Sequence, residues 1–125
     1  MDQELERRRF PSHAQLAWPT LVVMKRLGRP VTNQEAVALV AGEVRLSPEQ
    51  VRITRGRRGS RTLLDYRLAW SRTLLKGIGA IENLGPCLWK VTPVGESIQE
   101  SDIKAATDAM LRKLNERRKA ARPEE

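Results

Sequence analysis

RTLLDYRLAWSRTLLKGIGAIENLGPCLWKV, residues 61–91, reads as one amphipathic helix followed by a two-stranded hairpin. At 100° per residue, Leu63, Leu64, Leu68, Trp70, Leu74, Leu75 and Ile78 gather on one broad side of a helix spanning 61–78. Arg61, Asp65, Arg72 and Lys76 fall on a narrow opposite stripe, flanked by Thr62, Ala69 and Thr73. Gly79 suits the left-handed residue that closes a helix. Two short apolar runs follow, 80–82 and 87–91, with Asn83-Leu84-Gly85-Pro86 between them as the expected turn.

The residues upstream supply more helices. Ser12 and Gln15 have the spacing of a capping box, so a helix opens there and buries Leu16, Leu21, Val22, Val23, Met24 and Leu27. Pro19 lies inside that pattern and is expected to offset or kink it near Trp18. Gly28 and Pro30 end it. Thr32 and Glu35 repeat the capping pattern for a helix from Gln34 to about Leu46. Ser47-Pro48 starts a short helix or turn, PEQVRI. RGRRGS, residues 55–60, is then a glycine-broken loop.

Downstream, Thr92-Pro93 opens a last helix with Ile98, Ile103, Ala106, Met110, Leu111 and Leu114 as its apolar positions. The expected organisation is a flexible basic arm over 1–11 and a folded domain over 12–98. A helix over 99–118, available for a dimer contact, and a disordered tail over 119–125 complete it.

Charge is unevenly spread. From Arg52 to Lys76 eight cations face one anion, Asp65, so this window holds +7 of the chain's net +8. A basic charge confined to one element is a located surface, and polyanions are its commonest partners. The bland alternative is a solvated face. One Cys and one His make neither an internal disulfide nor a zinc-ligand set. No run of about 18 apolar residues exists to cross a membrane. The charged start MDQELERRRF lacks a secretory pattern. A cytoplasmic, nucleoid-associated bacterial protein without cofactor or metal is expected. No nucleophile–base pair, paired carboxylates or phosphate-binding glycine loop supports catalysis, so the chain reads as a non-enzyme.

Helix–turn–helix followed by a hairpin is the order of a winged helix, here mainly α with a small β-hairpin and a long C-terminal helix. In such folds the second helix of the pair enters the major groove, which is about 12 Å wide. That helix is 61–78. Arg61 and Arg72 are the candidate base readers, because a guanidinium pairs bidentately with guanine. Asp65 either accepts from cytosine or orients Arg61 as an i, i+4 partner. Thr62, Ala69, Thr73 and Lys76 share or flank the stripe. Arg52, Arg55, Arg57 and Arg58 would sit on phosphates, helped by the helix N-terminus, with Lys90 beside the wing. Arg67 falls outside the stripe. Trp18, Trp70 and Trp89 read as core, His13 as a surface residue and Cys87 as a small buried hydrophobe.

Three motifs then carry a resemblance. PSHAQLAWPTLVVMKRLG, RLAWSRTLLKGIGAIE and LWKVTPVGESI, in that order between Phe10 and Ile98, make the chain similar to the N-terminal winged-helix domain of Mrr-type (type IV) restriction endonucleases. Trp70, Lys76, Gly79, Trp89, Thr92 and Gly95 stand at the positions that make the pattern recognisable. The resemblance implies duplex DNA binding and a link to restriction of modified DNA. It also implies a nuclease domain with a PD-(D/E)xK-type site, for which the roughly 27 residues after Ile98 leave no room. The expected function is therefore binding of double-stranded DNA, with a nuclease or methyltransferase as a partner. The alternatives are a transcriptional regulator of the same fold, or a protein-interaction module such as an antitoxin or restriction accessory subunit. RNA binding is weaker, since exposed aromatic clusters are lacking.

Overall fold

The computed structural model describes residues 10–54 and 61–121. Three helices begin with the same reciprocal hydrogen bonds. In α1, His13–Leu27, the Ser12 hydroxyl accepts from the Gln15 N–H at 3.1 Å, and the Gln15 side chain accepts from the Ser12 N–H at 2.9 Å. Thr32 with Glu35 does the same for α2, Asn33–Glu43, and Ser47 with Gln50 for α3, Pro48–Val51. Helix α1 runs without a break through Pro19 and closes on Gly28, whose φ of 64° is the left-handed conformation glycine tolerates. Helix α4, Leu63–Gly77, is capped by the Thr62 hydroxyl, which accepts from the Asp65 N–H at 3.1 Å.

The sheet has three antiparallel strands in the order β1-β3-β2: β1 is Val31–Thr32, β2 is Ile81–Gly85 and β3 is Leu88–Val91. Strand β1 was not expected. Its two residues pair with Leu88 and Trp89, closing one edge of the hairpin. The hairpin itself turns later than the sequence suggested, at Pro86 and Cys87 rather than over 83–86. Asn83 and Gly85 belong to β2, where a register shift between them lets Gly85 pair with Leu88. Cys87 occupies the turn with a φ of 60° and is exposed, so it is not the buried hydrophobe expected of a strand residue.

Helix α1 lies between two apolar clusters. On one side Ala17, Leu21 and Met24 meet Val31, Leu74, Leu75, Ile81 and Ile103. On the other, Leu16 and Val23 meet Val40, Ile53, Leu63, Leu64 and Leu68. Helix α4 contributes to both, so its apolar side is occupied from its first turn to its last. Each fully buried leucine contributes about 1.5–3 kcal/mol.

The expected single C-terminal helix is two. Helix α5, Pro93–Ser97, stops where Ile98 turns extended with ψ 145°. Helix α6, Glu100–Ala121, starts beyond it, with the Asp102 carboxylate accepting from the Gln99 N–H at 3.0 Å. The apolar period carries through Ile98 and hides this break. Gly95 shows why α5 is fixed. A Cβ there would lie 2.1 Å from the Ala80 carbonyl oxygen, so only glycine lets α5 touch the sheet. Thr92 locks the same contact, donating its hydroxyl to the Gly79 carbonyl and accepting from the Gly95 N–H. Helix α6 extends to Ala121, past the end expected at 118. The expected arm over 1–9 and the tail over 122–125 lie outside the described residues.

The class is α+β: a helix–turn–helix of α2, α3 and α4, a β-hairpin wing, and a long C-terminal helix.

Candidate nucleic-acid interface

Helix α4 is held rigidly from behind. Ser71, fully buried, donates to the His13 carbonyl at 2.7 Å and to the Arg67 carbonyl at 3.1 Å. Arg67 donates to the carbonyls of Phe10 and Pro11 at 3.0 and 2.9 Å, and its guanidinium lies 5.3 Å from the Phe10 ring centroid. This cation fastens the segment just before α1 to α4, and burial pushes its pKa down. At the N-terminal end the Leu63 N–H donates to the Ile53 carbonyl at 2.8 Å, and Thr54 bridges to Thr62. Ile53 and Thr54 are thus held against Thr62 and Leu63 at the N-terminal end of α4. Arg55, Arg57 and Arg58 themselves lie outside the described residues.

The front of α4 is open and polar. Arg61 is exposed, and its Nε donates to the Asp65 carboxylate at 2.6 Å. Its guanidinium also stands 5.8 Å from the Tyr66 ring centroid. Asp65 therefore orients Arg61, the second of the two roles its spacing allowed. Because it engages Nε, both Nη groups remain to donate elsewhere. Thr73 is exposed and donates its hydroxyl to the Ala69 carbonyl at 3.0 Å. Lys76 is exposed one turn further on, and Ala69, one turn before Thr73, is half-buried. Arg52, exposed, caps the C-terminal end of α3. On the wing Lys90 is exposed directly opposite Glu82, which offsets its charge locally.

Arg72 does not join this face. It is only 4 % exposed, its Nη1 is buried without a hydrogen-bond partner, and its guanidinium lies 5.9 Å from the Trp89 ring centroid. It cannot read a base from there. On a helical wheel Arg72 sits 40° from Leu68, at the border of the apolar side. Trp89 from β3 covers that border, and no helix period predicts it. Burial pushes the Arg72 pKa down, opposed by the nearby Asp65 and reinforced by Arg61. The Trp89 ring is fixed in turn, its indole N–H donating to the Asn33 side chain at 2.8 Å. Arg72 thus ties α4 to the wing, and Trp89 ties the wing to the start of α2.

Trp70 departs from expectation in the other direction. It is 49 % exposed, with its ring 6.4 Å from that of His13. Trp18 and Trp89 are partly buried against the core, as expected. Tyr66 and Trp70 are one helical turn apart on the same flank of the open face. The signal was present in the sequence: Trp70 marks the outermost edge of the apolar arc, adjacent to Tyr66.

The helix–turn–helix buries the back of α4 and presents its polar front, and the hairpin that follows joins β1 in a three-stranded antiparallel sheet. The family model of the Mrr N-terminal domain matches residues 13–101, and the chain belongs to that family. No curated protein and no solved structure matches the chain. Among the described residues no helix is long and apolar enough to cross a membrane.

Proposed function

We propose that the chain binds double-stranded DNA by placing the open face of α4 in the major groove, and that it acts by binding rather than by catalysis. One observation carries this reading. The apolar side of α4 is consumed by core along its whole length, and its opposite side leaves Arg61, Thr73 and Lys76 in solvent, inside the window that holds nearly all the net charge. Arg61, steadied by Asp65, is the base reader. Lys76 and Arg52, with Arg55, Arg57 and Arg58 of the same basic window, contact phosphates. Family membership supports a role in a restriction system, with a nuclease or methyltransferase as partner, rather than at a single operator.

Anisotropy titrations with unmodified and methylated duplexes between about 50 and 200 mM salt test the proposal. The logarithm of affinity should fall with the logarithm of salt by about 0.9 per phosphate neutralised. Absent or salt-independent affinity overturns it. A preference for modified duplexes supports the restriction role, and protection of one unmodified operator contradicts it.

A further inference from the structure

Helix α6 has a covered half and an uncovered half. Ile103 and Thr107 are buried against the body, whereas every residue from Leu111 to Ala120 is exposed, Leu111 by 42 % and Leu114 by 46 %. Most helical stability in proteins comes from packing an apolar face, and here two leucines have nothing on them. At 100° per residue they share the side of α6 that carries Ile103 and Thr107. Between α1 and the covered half runs a groove of about 750 Å³, lined by Trp18, Ile103, Lys104 and Asp108 among others.

The charges of α6 are segregated along its length. Residues 100–110 hold Glu100, Asp102 and Asp108 against Lys104, a net −2. Residues 111–121 hold Arg112, Lys113, Arg117, Arg118 and Lys119 against Glu116, a net +4. Two copies set side by side in parallel would oppose like charges. Set antiparallel about a two-fold axis, each basic half meets the partner's acidic half, and the pairing repeats identically on both sides.

We infer that α6 is a self-association surface: in a two-fold dimer the uncovered half of one α6 lies antiparallel along the α1–α6 groove of a second copy, with Leu111 and Leu114 in the groove. The carboxylates of Glu100 and Asp108 in the groove wall select the basic half as its occupant. No residue lining the groove belongs to α4, and the inference stands independently of whether the open face of α4 binds DNA.

Sedimentation equilibrium of the full chain without DNA, over roughly 1–100 μM, tests it. The expected result is twice the chain mass at the upper end, weakened by salt. Leu111→Glu with Leu114→Glu should give the monomer mass with the helical circular-dichroism signal retained, since both side chains are already in solvent. Arg112→Glu with Lys113→Glu should weaken association, and Glu100→Lys with Asp108→Lys added in the same chain should restore it. A monomer across the whole range overturns the inference. So does a dimer that survives the double leucine substitution, or a charge reversal that the compensating pair fails to rescue.

Discussion

Helices α4 and α6 are both amphipathic, and they differ in what their apolar sides touch. The apolar side of α4 is filled by α1, α2 and the sheet from Leu63 to Leu75, so everything it leaves exposed is its polar front and the flanking aromatic ring of Trp70. The apolar side of α6 is filled only as far as Met110, and beyond it leucine remains in solvent. A buried back with a charged front suits a polar partner such as duplex DNA. An apolar side without cover, segmented by charge, suits a second protein surface. The same patterning in sequence thus serves two different kinds of contact, and the tertiary neighbours decide which.

That contrast can be broken by substitution. The largest effect is expected in the core: Leu68→Ala, at a fully buried position of α4, should cost about 2–5 kcal/mol in chemical denaturation. Leu114→Ala on α6 should stay within about 0.5 kcal/mol in dilute solution, where the chain is a monomer. Equal costs at the two sites would remove the distinction. Next, Lys76→Ala should lower the salt slope of duplex binding by about 0.9, as one lost phosphate contact does. Arg72→Met should leave that slope unchanged. It should also preserve or raise stability, because an apolar side chain against Trp89 replaces a buried guanidinium with an unpartnered N–H. A lower slope for Arg72→Met would return Arg72 to the binding face.

Smaller still is the Arg61–Asp65 pair, exposed and four residues apart. Asp65→Ala should cost about 0.3–0.5 kcal/mol in stability for the lost pair, while loosening Arg61 and flattening sequence preference in binding. The smallest effect lies at the start of α2. The Arg29 guanidinium and the Thr32 N–H hold the exposed Glu35 carboxyl down from 4.5 to about 2. A depressed carboxylate pKa stabilises the fold above its ordinary value and loses that contribution as pH falls towards 2. Glu35→Gln should therefore flatten the pH dependence of the unfolding midpoint over that interval, by a small amount because the pair is in solvent.

Most of the element order could be read from short-range chemistry. Ser12 with Gln15, Thr32 with Glu35, and Ser47 before Pro48 announce three helix starts, because caps depend only on residues within one turn. The leucines of 63–75 announce α4 for the same reason. What escaped was tertiary. Trp89 reaches across from β3 to bury Arg72, and no single-helix period contains that information. The wing turn moved to Pro86-Cys87 because the shift at Gly85 absorbs the extra residue, although Asn83 to Pro86 had the richer turn chemistry. The break between α5 and α6 was masked by the apolar side chain of Ile98. Of the candidate site, Arg61, Thr62, Asp65, Ala69, Thr73 and Lys76 lie together on or at the head of α4, whereas Arg72 does not.

On this reading DNA meets the front of α4 and not the free half of α6. Amide chemical-shift mapping of the full chain titrated with a short duplex tests it most directly. The predicted result is that the largest shifts run along Thr62, Asp65, Ala69, Thr73 and Lys76 while residues 111–120 stay in place. Shifts confined to α6, or none on α4 at saturating duplex, would contradict it.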